Sequence, residues 1–122
     1  YSQQEIIQRY VMATFYYSTS GDEWFYDSGW LSDKNECDWY NRAGKYSCNT
    51  ADELTSLELD YNNLNGILPP ELGLLSNSLE RIVLRGGPSS FTTGNIPTEL
   101  GYLTRMEVFF LRSNIISGQI PT

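Results

Sequence analysis

Apolar positions recur in a fixed order along the second half of the chain. The first instance is Leu54-x-x-Leu57-x-Leu59-x-x-Asn62-x-Leu64-x-Gly66-x-Leu68-Pro69. The third is Met106-x-x-Phe109-x-Leu111-x-x-Asn114-x-Ile116-x-Gly118-x-Ile120-Pro121, each position 52 residues after its counterpart. The second runs Leu79-x-x-Ile82-x-Leu84, diverges, and recovers at Gly94-x-Ile96-Pro97. Between them, Glu71-Leu72-Gly73-Leu74-Leu75 matches Glu99-Leu100-Gly101-Tyr102-Leu103. Residues two apart share one side of a strand, so Leu57 and Leu59 predict a short strand with one buried face. The following Asn can turn its amide inward to satisfy backbone groups at a buried bend. Gly and Pro then punctuate the return path. One such coil cannot bury its own apolar edge, so stability is expected from stacked neighbours.

The first half is patterned differently. Ser2-Gln3-Gln4-Glu5 reads as a capping box opening a helix, and Ile6, Ile7, Tyr10, Val11 and Thr14 form a helical stripe. Gly21 is a plausible stop. Aromatic turns follow at Trp24, Gly29-Trp30-Leu31 and Cys37-Asp38-Trp39-Tyr40, and Cys48 closes the segment. All three tryptophans and seven of nine tyrosines precede residue 54, which marks two differently built halves. Cys37 and Cys48, with ten residues between them, read either as a disulfide in an oxidising compartment or as two buried thiols.

The phrases Asn62-Asn63-Leu64-Asn65-Gly66-Ile67-Leu68-Pro69 and Asn114-Ile115-Ile116-Ser117-Gly118-Gln119-Ile120-Pro121 resemble the plant-specific class of leucine-rich repeats, which ends in L-x-G-x-I-P. The aromatic, cysteine-bearing first half is similar to the cap of plant and algal leucine-rich-repeat proteins. The resemblance therefore covers essentially the whole chain. It implies a bond between Cys37 and Cys48 and an α/β solenoid: a short parallel β-sheet with a helical, disulfide-bonded cap. Residues 1–53 are assigned to the cap and 54–122 to about three repeats, the last incomplete.

Two departures stand out. Leu84 to Gly94 spans ten residues where Leu59 to Gly66 spans seven, so three extra residues lie within 85–94. One more is inserted near Asn77-Ser78. A tolerated bulge is the first reading, since lengthening a loop costs little; a recognition loop at the rim is the alternative. The chain opens at Tyr1 without an apolar leader, as a processed or trimmed product would. It stops after Ile120-Pro121 with no polar closing coil, so further repeats are expected to follow.

Composition narrows the function. A formal charge of −7 argues against nucleic-acid phosphates and anionic membrane surfaces. Residues 1–53 carry nine acids against four bases, and 54–122 six against four. There is no histidine, which removes Ser-His-Asp and Cys-His catalysis and the usual zinc ligand sets. No phosphate-cradling glycine motif occurs. Asp33-x-Asn35-x-Cys37 resembles a calcium loop only superficially, because Asp38 stands where the loop glycine belongs and Gly44 replaces the twelfth-position Glu. Asp33, Glu36 and Asp38 are read as a solvated loop, with a looser acidic cation site as the alternative. No Asn-x-Ser/Thr acceptor occurs. The tryptophans are assigned to the core of the cap rather than to sugar stacking.

Positions between the core residues point to the opposite, concave face. Aligned repeats place Ser56, Arg81 and Val108 in one column, and Glu58, Val83 and Phe110 in the next. A third column holds Asp60, Arg85 and Arg112, with Asp60 and Arg85 expected to pair. Arg81, Val83, Arg85, Phe110 and Arg112 are the candidate partner-binding residues, since aromatic and Arg side chains often anchor interfaces. The expected function, implied by the resemblance, is recognition of a protein or peptide in an extracellular, cell-surface or other oxidising lumen, with no cofactor and no catalysis. A scaffold subunit of a wall or organellar assembly, or a carbohydrate-binding module, is the alternative.

Overall fold

The computed structural model describes residues 2–39, 47–59, 62–84, 91–92 and 96–110. A single α-helix, α1 (Gln3–Ser18), opens the chain. The Ser2 hydroxyl accepts from the Glu5 N–H at 3.1 Å and donates to the Glu5 carboxylate at 3.2 Å, so Ser2 caps the helix and Glu5 closes the capping box onto the Ser2 hydroxyl rather than its backbone N–H. The helix stops earlier than Gly21. The Thr19 hydroxyl donates to the Phe15 carbonyl at 2.6 Å, and Ser20 takes the left-handed conformation with φ of 58°. Gly21 is needed for space, because a Cβ there would lie 2.1 Å from the Tyr16 ring.

The buried face of α1 also differs from the stripe read in the sequence. Val11, Met12, Phe15 and Tyr16 are buried together with Gln8, whereas Ile6 is 60% and Tyr10 52% exposed. Ile7 is half-buried against the core, as is Thr14 in accessibility. The helix has apolar residues on two flanks, and its packing partners choose between them. Short 3-10 turns η1 (Gly21–Glu23) and η2 (Glu36–Asp38) then fold the aromatic segment under the helix. Trp24, Trp30 and Trp39 are all core residues. Trp24 and Trp30 meet edge-on with ring centres 4.9 Å apart, and Trp30 and Trp39 stand 5.6 Å apart. Buried indole N–H groups need acceptors, and the carbonyls of Thr19 and Lys34 serve Trp24 and Trp39.

Gln8 ties the cap to the repeats. Its amide nitrogen donates to the Asp52 carbonyl at 3.1 Å and to the Glu36 carboxylate at 3.3 Å, and its oxygen accepts from the Leu54 N–H at 2.7 Å. Glu36 is therefore not part of a solvated loop. It is 4% exposed and pairs with Arg9 at 2.9 Å, while Asp33 and Asp38 stay exposed. The sulfurs of Cys37 and Cys48 are bonded. Cys48 bridges Leu54, and the Ser47 carbonyl accepts from the N–H groups of Thr55 and Ser56, so the disulfide holds a cover over the first strand. Native, unreduced protein should show no alkylatable thiol by intact mass. Replacing both cysteines should cost about 2–3 kcal/mol in chemical denaturation, through the freer unfolded chain; two thiols modified without reduction would contradict the cap.

The strands β1 (Ser56–Glu58), β3 (Arg81–Val83) and β5 (Val108–Phe110) form a parallel sheet in that order, with Leu57 opposite Ile82 and Ile82 opposite Phe109. Two short strands, β2 (Asn65–Gly66) and β4 (Phe91–Thr92), pair on the return path. The matched segments predicted between the turns are 3-10 helices, η3 (Pro70–Leu75) and η4 (Thr98–Tyr102). Helix α1 packs on η3 and η3 on η4, so the cap helix serves as the first member of the convex stack. Leu54, Leu57, Leu72, Leu75, Leu79 and Ile82 have no exposed surface, and Leu59 and Leu84 are nearly as buried. The residue inserted near Asn77 is absorbed locally. The Leu79 N–H reaches back four residues to Leu75, where the Met106 N–H reaches back three to Leu103.

The inward-turned Asn was expected at the end of the strand. Asn62 is 2% exposed, and its amide both accepts from the Tyr26 N–H at 2.6 Å and donates to the Tyr26 carbonyl at 3.0 Å. The side chain turns inward as predicted, but the backbone it satisfies is that of Tyr26 in the cap, an exposed residue, and not that of a buried bend at the end of its own strand. Most of the 85–94 insertion, and the repeat positions from Leu111 onward, lie outside the described residues.

Candidate partner-binding face

Alternation along β1, β3 and β5 turns Leu57, Ile82 and Phe109 toward the core and leaves the residues on either side of them on the other face of the sheet. The paired register reproduces both columns: Ser56–Arg81–Val108 and Glu58–Val83–Phe110. Strand spacing of about 4.8 Å lets side chains in a column, and on its diagonals, touch.

Among the described residues, Arg81 supplies an exposed cation on this face. Its Nε donates to the Glu58 carboxylate at 2.9 Å, a diagonal contact from the first column to the second. The Arg81 side chain is 45% exposed and that of Glu58 12%. The pair is one end open to water and one end covered, so its net contribution to stability is small. Its effect is orientation: the guanidinium is held over the sheet with donors left for a ligand.

Val83 departs from the expectation of an outward anchor, being only 7% exposed. It sits on the central strand, with Glu58 and Phe110 as column neighbours and Arg81 reaching across beside it, so little of the isopropyl group meets solvent. It forms the floor of the face. Ser56 is likewise covered, at 8%, and Val108 is half-buried. Phe110 is in register in β5, and its side chain lies outside the described residues, as do Arg85, Arg112 and Asp60, and with them the expected Asp60–Arg85 pair. The structure thus brings together Arg81, Val83 and the backbone of Phe110. The Glu58–Arg81 pair was missed because the columns were compared straight across; an acid two residues past the opposite position was the available signal.

No group of three or more His, Cys, Asp or Glu side chains among the described residues is arranged to hold a metal ion. No helix among them is long and apolar enough to cross a membrane. Tyr16 titrates above the ordinary tyrosine value, chiefly because its ring is buried and further because Asp27 and Asp22 lie near it. Its hydroxyl points to Asp27 at 3.5 Å, so the group belongs to the cap rather than to the concave face.

Parallel strands on one side, 3-10 returns on the other and a disulfide-bonded helical cap define an α/β solenoid of leucine-rich repeats. The leucine-rich repeat family model matches residues 53–75. Curated relatives include the leucine-rich repeat receptor-like serine/threonine-protein kinase RGI4 of Arabidopsis thaliana, 32% identical over 77% of this chain. Receptor-like protein 41 of the same plant is 36% identical over 57%. The match spans 8% of each of those two proteins. Among solved structures, the ectodomain of the receptor kinase SOBIR1 from Arabidopsis thaliana superposes with a TM-score of 0.65 at 21% identity, covering 98% of this chain and 59% of that one. PEPR1 in the PEPR1–AtPEP1 structure gives 0.56 at 19% identity, over 93% of this chain and 19% of the other. The chain belongs to the leucine-rich-repeat proteins, and its relatives are receptor-like members of that family from plants.

Proposed function

We propose that this chain is a recognition module that binds a protein or peptide on the concave face of the β1–β3–β5 sheet, in an extracellular or other oxidising setting. The observation that carries the reading is Arg81, half-exposed and oriented by Glu58 above the Val83 floor. A guanidinium held in place loses little freedom when it meets a carboxylate, and it can do so through two parallel hydrogen bonds. Arg85, Phe110 and Arg112 extend the same face in sequence register and complete the proposed site. The receptor-like relatives and the Cys37–Cys48 bond support the setting. The reading is of binding without catalysis or cofactor, since a parallel sheet surface offers complementary contacts along its columns.

The net charge of −7 opposes long-range capture of an acidic ligand, so affinity must come from close contacts. With a partner identified by cross-linking and mass spectrometry, Arg81→Ala and Phe110→Ala should each weaken binding by about 2 kcal/mol, the scale of a central anchor. Circular dichroism checks that each variant folds. Normal binding by both, with binding lost on altering residues 86–93, would move the site to the rim loop.

A further inference from the structure

The cap carries a second concavity, of about 460 Å³, between the first turns of α1 and the segment 33–36. It is remote in sequence from the sheet face. Its apolar wall is Ile6 and Tyr10, one turn apart on α1 and each more than half exposed. Among the described residues the core lies under Gln8, Val11, Met12 and Phe15, on the other side of the helix from these two side chains. The pocket therefore presents two large apolar groups to water beside a set of charges.

Those charges are unequal. Among the described residues, Glu5, Asp33 and Glu36 line the pocket with Arg9 as the one base. Arg9 is committed inward: Nε to Glu36 at 2.9 Å, Nη1 to the Ser32 carbonyl at 2.8 Å, Nη2 to the Lys34 carbonyl at 2.5 Å, with the guanidinium 5.0 Å from the centre of the Trp39 ring. Arg9 and Glu36 thus neutralise each other. The carboxylates of Glu5 and Asp33 remain, both exposed, and Glu5 receives only the Ser2 hydroxyl. Asn35 accepts from the Cys37 N–H through its side-chain oxygen, which leaves its amide hydrogens at the rim.

We propose that this pocket is a docking site for a basic-apolar segment of a partner polypeptide, distinct from the concave face. A Lys or Arg side chain would meet Glu5 and Asp33, and an adjacent Leu or Phe would cover Ile6 and Tyr10. Charge selects the occupant: an acidic segment would face the carboxylates of Glu5 and Asp33 with no free cation among the described residues lining the pocket. A cation beside the Tyr10 ring gains further from the ring face. The volume lies within the range of ligand-binding clefts.

The test is an NMR titration of the chain with an acetylated, amidated Leu-Arg-Phe-Lys peptide and with its Leu-Gln-Phe-Gln counterpart. The basic peptide should shift amides at residues 5–10 and 33–36, and the neutral one should not. Glu5→Gln with Asp33→Asn should weaken binding about three- to tenfold, the scale of two solvent-exposed charge contacts; Gln at position 5 keeps the capping box, so the helix start is retained. Ile6→Ala with Tyr10→Ala should weaken it similarly and leave the melting temperature nearly unchanged. Arg81→Ala should leave the response intact, which separates this site from the concave one. No response, an equal response to both peptides, shifts centred elsewhere, or unchanged affinity in the charge variant would overturn the proposal.

Discussion

Leu84→Ala is expected to destabilise the chain by about 2–5 kcal/mol, read as a lowered midpoint in urea denaturation. Leu84 directly follows β3, the central strand of the sheet, and is 2% exposed within the core cluster that runs from the cap tryptophans to Leu103. Removing its isopropyl group loses transfer free energy and leaves a cavity between coils that cannot collapse independently, since each repeat is stable only through its neighbours. Leu74→Ala is the internal control. That residue lies in the neighbouring η3 but is 54% exposed, so its truncation should change stability by less than about 1 kcal/mol. A loss under about half a kcal/mol for Leu84 would mean that the strand register is misplaced, because a one-residue slip exchanges the buried and exposed faces.

Gly66→Ala should be comparably damaging, by about 3 kcal/mol or more. Gly66 has φ of 143°, a conformation that L side chains rarely adopt, and a Cβ there would stand 1.9 Å from the Ser18 carbonyl oxygen. The contact is with backbone, so no side chain can swing aside. Relief requires separating β2 from the end of α1, where the Asn65 N–H donates to the Thr19 carbonyl at 2.9 Å and the Ile67 N–H to the Ser18 carbonyl at 3.1 Å. Strain of about 1–3 kcal/mol and two weakened hydrogen bonds of about 1 kcal/mol each set the magnitude. A glycine that merely punctuated a turn would cost about 1 kcal/mol, and denaturation of the variant distinguishes the two. A cost that small would mean the cap and first repeat are not packed backbone to backbone.

The repeat architecture was legible in the sequence because the signals that specify it are local and periodic. Leu57 and Leu59 share a face by the geometry of any extended strand, and the 52-residue recurrence aligns β1 with β5 without reference to anything distant. The columns Ser56–Arg81–Val108 and Glu58–Val83–Phe110 follow from that alignment alone. The burial of the tryptophans was legible because indoles of that size are placed in water at high cost. The concave face was legible as a set of positions. Its electrostatics were not, since whether Arg81 reaches straight across or diagonally to Glu58 depends on side-chain length and strand stagger.

What only the tertiary structure decided has one physical source: close approach between segments far apart in sequence. Helix α1 has apolar residues on more than one flank, so periodicity permitted the stripe of Ile6, Tyr10 and Thr14 as readily as that of Met12, Phe15 and Tyr16. The choice fell to the second because Gln8 on that side satisfies Asp52 and the Leu54 N–H, and because η3 packs there. Glu36 looked like one acid in a solvated loop until Arg9 and Gln8 enclosed it. Gly66 looked like turn punctuation and Gly73 like one more matched position, whereas the first makes room for the Ser18 carbonyl and the second for that of Glu99, 2.5 Å from where a Cβ would stand. A periodic pattern specifies which residues share a face; which face meets which neighbour, and how closely two backbones pass, is settled only when the coils stack on the cap.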